Sequence, residues 1–362
     1  MAGLRLTLVV LAALLGINIT ASAQQVTPEV REMAMKAIKL MDEGKIKESI
    51  TILDECLRLA PNSALITYEL GYAHYLAGDY QKTIELIEPL LPSPDATDQF
   101  YSMVGNAYDI VNNPTKAIET YKSGLVRYPK SGRLYLEMAN VHLARKDYDK
   151  AVPLYERGIE VEPTFPSNYY RIAQLYCNSN NTLWGVLYGE LFMHLDKRTK
   201  RSDEISNLLL DTYKRSIAIN GDSAKISFCK IVVNEKEFAA LLKNRLPFCM
   251  VFEGSLITAV LDAKTVNVET LTRMRTSFIR NYYKSGYDTT HPNILFSYHR
   301  TMIDAGQFEA YNRWLFMKAD EDGFKEWKSA NEKKWTDFVA WKVNNPLVIS
   351  EESSLYVRQY EE

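Results

Sequence analysis

The sequence predicts an all-α protein of stacked helical hairpins, and two features lead to this class. Residues 98–129 are followed 34 positions later by residues 132–163 with the same order of large and small side chains, each stretch ending in proline. Both stretches place apolar residues at the 3.6-residue period of an amphipathic helix. Because such a hairpin buries its apolar stripe only against its neighbours, the repeat predicts an array rather than one compact domain.

Small residues in the repeat predict where the two helices of a hairpin cross. Gly105 aligns with Ala139, and Tyr121 aligns with Tyr155. A close crossing requires a small residue, and aromatic rings fill the space around it. The eighth position is small in all five units that the 34-residue register defines: Ala37, Gly71, Gly105, Ala139 and Ala173.

The turn between the two helices of each unit is also marked in the sequence. Gly and Asn recur there and tolerate the positive φ of a helix C-terminus. In the second unit, Pro89 falls inside the second helix, which is therefore expected to kink or end early. The five turn positions carry Gly44, Gly78, Asn112, Lys146 and Asn180.

This order of large and small residues closed by proline resembles the tetratricopeptide repeat, a helix–turn–helix unit of 34 residues. The resemblance implies an α–α superhelical solenoid that binds partners and does not catalyse. It covers five units: 30–63, 64–97, 98–131, 132–165 and 166–199.

The register is lost from residue 200 to residue 362, which we expect to be mainly helical but less regular. Residues 226–233 suit either a short strand or an extended buried segment. The aromatic residues of 324–343 suit a terminal capping helix, with an aromatic partner site as the alternative. Helices are expected at 204–219, from 247 to about 261 and at 268–284, and a degenerate hairpin at 292–325.

The first 23 residues have the pattern of a cleaved signal peptide. Arg5 precedes an apolar stretch from Leu6 to Leu15, and small residues at 21–23 form a cleavage site before Gln24. The alternative is a short membrane anchor or a buried helix, although the apolar stretch is shorter than a bilayer requires. We therefore expect a soluble exported protein without an integral membrane segment after cleavage. In a Gram-negative cell it would be periplasmic, and secretion is the other outcome.

Four cysteines in an exported chain can be oxidised. Cys56 and Cys177 fall at interior positions of different units and are expected to be buried thiols. Cys229 and Cys249 are close in sequence. They form either a disulfide or two free buried thiols, and the sequence leaves both open.

No motif for catalysis, cofactor binding or metal binding occurs in the chain, so we expect no enzyme, cofactor or metal. The alternative is an enzyme or metal site around His291 and His299, which have Asp288 and Asp304 nearby. Without such a site, His291 caps a helix and His299 is a core histidine. The 43 basic and 45 acidic residues are interspersed, which excludes the charge pattern of a nucleic-acid binder.

The resemblance also implies that the first helix of each unit lines a concave groove. Amide side chains there would pair with the backbone of an extended peptide, tyrosines would anchor it and arginines would meet a carboxylate. The alternative is that these residues are polar only because the groove is solvated. The groove residues are Tyr68, Tyr72, Tyr75, Asn106, Arg133, Asn140, Arg171 and Gln174.

The function expected from the sequence is a non-enzymatic scaffold of the cell envelope that binds a protein or peptide in this groove. Besides an enzyme, the remaining alternative is a purely structural spacer, which would bind no ligand.

Overall fold

A computed structural model describes residues 26–220, 223–230, 246–260 and 263–361. These residues are predominantly helical, so the predicted all-α class is confirmed. The predicted signal peptide lies outside the described residues. The chain forms two compact units that divide within one helix, between Ala151 and Val152.

Unit 1 consists of helical hairpins that follow one another along the chain. Its helices are α1 (Pro28–Asp42), α2 (Ile46–Leu59), α3 (Ala64–Ala77), α4 (Tyr80–Ile87), α5 (Asp98–Ile110), α6 (Pro114–Arg127), α7 (Gly132–Ala144) and the first turn of α8 (Tyr148–Val161).

Unit 2 begins within α8 and is less regular. It contains α9 (Pro166–Cys177), α10 (Thr182–Leu195), α11 (Lys200–Ser216), β1 (Ile217–Asn220), β2 (Ser223–Ile226), α12 (Phe248–Val260), α13 (Val268–Lys284), α14 (Tyr287–Thr290), α15 (Ile294–Asp304), α16 (Phe308–Leu315), α17 (Glu321–Ala330), α18 (Glu332–Asn344) and α19 (Arg358–Glu361).

The turn between the two helices of a hairpin has the same backbone conformation at the same position in four successive 34-residue repeats. Gly44 and Gly78 have φ values of 78° and 82°. Asn112 and Lys146 follow at the same 34-residue spacing, with φ values of 61° and 59°. The left-handed conformation lets the chain leave the first helix and reverse.

The predicted close crossings are present in unit 1. A Cβ added at Gly71 would lie 2.6 Å from the side chain of Ile87, and one added at Gly105 would overlap the ring of Tyr121. In both hairpins the large residue lies sixteen positions after the glycine, on the second helix. The repeated small–large pair therefore sets the distance between the helices of each hairpin.

Pro89 shortens the second helix of the repeat at 64–97, as expected. Helix α4 ends at Ile87, and a single 3₁₀ turn, Glu88–Leu90, follows it. Pro89 cannot donate the hydrogen bond that would continue the α-helix.

Two expectations for the later part of the chain differ from the structure. The helix expected to reach residue 219 ends at Ser216, and the chain turns into a two-stranded antiparallel ladder that pairs Ile217 with Ile226. β-Branched Ile217 and Ile219 suit this extended backbone better than a last helical turn. The single helix expected at 324–343 is instead two helices, α17 and α18, which meet at Asn331.

The cysteines fall into two pairs of different character. Cys229 and Cys249 form a disulfide with Cα atoms 6.3 Å apart, which decides between the two alternatives left by the sequence. Cys56 and Cys177 are free and buried, as predicted. None of the described helices combines the length and the apolar character needed to cross a bilayer.

Candidate interaction surface and buried polar cluster

Three first helices of unit 1 adjoin one another and form the candidate interaction surface. Helix α5 packs between α3 and α7. Tyr68, Tyr72 and Tyr75 are spaced four and three residues apart on α3, so they share one face of that helix. We call the exposed side of α3, α5 and α7 the first-helix face.

The three tyrosines of this face are all half-buried. Tyr68 stacks on Phe100 with ring centroids 4.5 Å apart, and Tyr75 meets Tyr80 edge-on at 5.2 Å. Tyr72 packs against the hydrophobic clusters on both sides of α3. These rings therefore contribute to the core as well as to the surface, and a bound partner would meet them already held in place.

Two of the three amide side chains predicted for the groove, Asn106 and Asn140, hydrogen bond within unit 1. Asn106 Oδ1 accepts a hydrogen bond from the Tyr121 hydroxyl at 2.6 Å. Asn140 Nδ2 donates to Glu137 Oε2 at 3.0 Å. These bonds orient the amides on the face.

Arg133 has an acidic neighbour within unit 1. Its Nε lies 3.5 Å from Asp98 Oδ2, which also accepts a hydrogen bond from the Ser131 hydroxyl at 2.7 Å. Asp109, further along α5, pairs with Arg145 at 2.9 Å. Arg133 therefore has a countercharge, Asp98, inside the chain.

Tyr75 lies close to the negative charges of the face. Burial, followed by the charge of Glu137, raises the pKa of Tyr75 to about 12. Its hydroxyl is therefore protonated at physiological pH and can donate a hydrogen bond.

The other two predicted groove residues lie in unit 2. Arg171 is exposed and its guanidinium lies 5.6 Å from the centre of the Tyr170 ring. The backbone carbonyl of Gln174 accepts a hydrogen bond from Asn178 Nδ2 at 2.8 Å. The structure thus brings together six of the eight predicted residues, those in unit 1.

His291 and His299 do not form the alternative acid–base or metal cluster. Both rings are buried. His291 hydrogen bonds the Leu246 carbonyl at 2.7 Å and the Thr290 hydroxyl at 2.9 Å. The acidic partner of His299 is Glu190, at 2.8 Å, rather than Asp288 or Asp304.

Glu190 is the centre of a buried polar cluster that the sequence analysis missed. Its Oε1 accepts hydrogen bonds from Arg275 Nη2, from His299 Nε2 at 2.8 Å and from the Tyr311 hydroxyl at 2.7 Å. His194 Nε2 lies 2.9 Å from the Tyr311 oxygen. The signal that marks this cluster is a lone acidic residue in the otherwise apolar helix α10.

The charges of this cluster compensate one another. Burial raises the pKa of Glu190, but the charges of Arg275 and His299 outweigh it, and the net pKa lies well below its usual range. Burial holds the pKa of His299 below its usual value. The cluster is thus built around an ionised Glu–Arg pair, and the adjoining cavity of about 10 Å³ is no larger than a single water requires.

Glu253 lies beside the disulfide in unit 2. Its Oε1 accepts hydrogen bonds from the backbone N–H groups of Phe228 and Cys229 at 2.6 and 3.1 Å. The carboxylate and the two sulfurs are within 4.8 Å of one another. Since both sulfurs are joined in the disulfide, the carboxylate acts here as an acceptor that fixes the segment after β2 to α12.

Comparison with known families agrees with the hairpin geometry. Two models described as tetratricopeptide repeat match residues 35–93 and 132–175. These two stretches are similar to tetratricopeptide repeats. The matches fall on hairpins whose turns, at Gly44, Gly78 and Lys146, follow the 34-residue period.

Curated relatives match part of the chain. BBSome complex member BBS4 of Mus musculus is 24% identical over 121 residues, 33% of this chain and 23% of that protein. Tetratricopeptide repeat protein 8 of Caenorhabditis elegans is 34% identical over 62 residues, 17% and 12% of the two chains. The chain thus spans less than a quarter of the length of either protein.

Solved structures of repeat proteins also align. A thermophilic TPR protein of Thermus thermophilus, TTC0263, aligns over 50% of this chain and 99% of its own, with 16% identity and a TM-score of 0.43. The pilF protein of Pseudomonas aeruginosa aligns over 52% of this chain and 84% of its own, also with 16% identity and a TM-score of 0.43.

Proposed function

We propose that the chain is a non-catalytic protein-binding scaffold and that the first-helix face of unit 1 holds an extended segment of its partner. The observation that carries this proposal is the row of half-buried tyrosines on α3 beside amide and carboxylate groups on α5 and α7. Rigid aromatic rings flanked by polar groups are typical of residues that anchor interfaces. The presence of tetratricopeptide repeats, which bind protein partners, supports the same function.

The charges of the face indicate which ligand groups suit it. Glu137 adds negative charge near Tyr75, where Asp109 lies paired with Arg145. Arg133 lies against Asp98, so the face offers more acceptors than cationic donors. A partner segment that brings backbone N–H groups and a lysine or arginine side chain complements this face better than one that brings a carboxylate.

We place this function in the cell envelope, with an exported and periplasmic protein as the first choice. The signal-peptide pattern of residues 1–23 supports export. The disulfide between Cys229 and Cys249 supports an oxidising compartment, because such bonds are rare in the cytosol.

A charge reversal on the face tests the proposal. We expect Glu137→Lys to weaken binding of a partner recovered from envelope extract by about tenfold or more, equivalent to about 1.4 kcal/mol. The matched control is Glu119→Lys, the same change on the second helix of the preceding hairpin, where Glu119 is exposed beside Lys116. Dissociation constants measured by calorimetry for both variants would contradict the proposal if the two changes weakened binding equally or if neither did.

A further inference from the structure

Residues 346–361 of unit 2 cross its surface with only the short helix α19 as regular structure. Apolar side chains along this segment are buried at intervals, while Val348, which precedes them, is 68% exposed. An extended segment that buries alternate anchors is a common way for a protein to hold a bound peptide. The buried anchors are Ile349, Leu355, Val357 and Tyr360.

The first set of contacts to this segment is acidic and comes from α8. Glu156, which is only 4% exposed, accepts a hydrogen bond from the backbone N–H of Val357 at 3.3 Å. The Tyr188 hydroxyl donates to the same carboxylate oxygen at 2.8 Å. One turn later on α8, Glu160 pairs with Arg358. Two carboxylates thus meet a backbone N–H group and a guanidinium.

The second set of contacts is an aromatic pocket around Tyr360. Its ring stacks on Phe248 with centroids 4.2 Å apart and lies 5.4 Å from Trp184. Its hydroxyl donates to the Pro292 carbonyl at 2.5 Å. Trp184 and Phe248 are each 4% exposed, so the pocket is built from the core of unit 2.

We infer that this cleft, formed by Glu156, Glu160, Trp184, Phe248 and Pro292, is a second peptide-binding site that the chain fills with its own segment. Its ligand is an extended peptide with an arginine two positions before an aromatic residue. This site lies in unit 2 and does not depend on the first-helix face of unit 1, so either proposal can fail without the other.

Because the recognised motif is short, the same motif in another chain can take the place of the chain's own segment in the cleft. Val357, Arg358 and Tyr360 make these polar contacts within four residues. A tethered segment has an effective concentration in the millimolar range. Peptides that bind weakly therefore do not displace it from the cleft, whereas tight or multivalent ligands do. The segment therefore sets a threshold for partner binding.

The test uses the full chain and a labelled peptide with the sequence of residues 350–361. We expect the double variant Arg358→Glu with Tyr360→Ala to bind this peptide in fluorescence anisotropy at least tenfold more tightly than the wild type does, because its own segment competes less. A peptide carrying the same two changes is the matched control and is expected not to bind. Tryptophan fluorescence of the double variant must show a folded unit 2.

A charge exchange checks the assigned contact. Adding Glu160→Arg to the double variant is expected to abolish binding of the original peptide and to restore binding of the peptide with Arg358→Glu alone. A folded double variant that fails to bind the original peptide overturns the inference.

If the double variant unfolds, the single variant Arg358→Glu decides, since that side chain is 53% exposed and its loss leaves the core intact. Peptide binding by this variant that is no tighter than in the wild type shows that the segment is a fixed part of the fold, which also overturns the inference.

Discussion

Unit 1 and unit 2 are both helical, but they are held together in different ways. In unit 1 the same contact recurs, since Gly71 meets Ile87 and Gly105 meets Tyr121 at the same places in successive hairpins. In unit 2 the Glu190 cluster occurs once among the described residues and joins positions 85 to 121 apart in sequence. Repetition thus spreads stability over many similar local contacts, whereas unit 2 concentrates it in a few distant ones.

This difference can be measured because the aromatic reporters are unevenly placed. All five tryptophans of the chain lie in unit 2, between residues 184 and 341. Tryptophan fluorescence therefore reports on unit 2, while far-ultraviolet circular dichroism reports on the helices of both units.

The largest effect is expected from breaking the buried ion pair of unit 2. Arg275→Leu leaves the carboxylate of Glu190 buried without its main countercharge, which should lower the free energy of unfolding by about 3–5 kcal/mol. Urea unfolding followed by tryptophan fluorescence measures this loss. The double variant Glu190→Leu with Arg275→Leu should lose less than the sum of the two single variants; simple additivity would show that the pair does not act as a unit.

A smaller effect is expected from overpacking one hairpin of unit 1. Gly105→Leu forces a side chain into the ring of Tyr121 and should cost roughly 1–3 kcal/mol. Helix loss seen by circular dichroism should then precede the tryptophan transition.

The control for this change is Gly254→Ala in α12. No atom lies within 4 Å of the Cβ it would add, so it should stabilise its helix by up to about 1 kcal/mol. If Gly105→Leu were as well tolerated as Gly254→Ala, the glycine would not set the helix spacing.

The third effect is a loss of stability of unit 2 in acid. Burial, together with the nearby charge of Lys342, lowers the pKa of His194 to about 3. Below about pH 6.5 the unfolded chain binds a proton at this histidine while the folded unit does not, so the free energy of unfolding falls by about 2 kcal/mol between pH 7 and pH 5. Glu190, whose folded pKa is depressed, adds to the loss only below about pH 4.3.

The variant His194→Gln checks this assignment. It should reduce the difference in unfolding free energy between pH 7 and pH 5, measured by urea titration at both values. A pH dependence identical to that of the wild type would place the sensitivity elsewhere.

The sequence alone determined the helical class, the spacing of the hairpins, the early end of α4 and the buried thiols of Cys56 and Cys177. Each of these depends on residues close in sequence, so propensity, a proline or a glycine suffices to indicate it. The repeat also placed six of the eight predicted groove residues on α3, α5 and α7, and their role in binding stays a prediction.

Only the tertiary structure decided the partners of the unusual residues. It paired His299 with Glu190 instead of Asp304, joined Cys229 to Cys249 and brought Tyr360 onto Phe248. These partners come from elements that are apart in sequence. A charged, aromatic or thiol side chain alone does not indicate which of several distant groups it will contact. In a repeat array the neighbour is fixed by the period; outside it, the neighbour is fixed only by the packing of the whole unit.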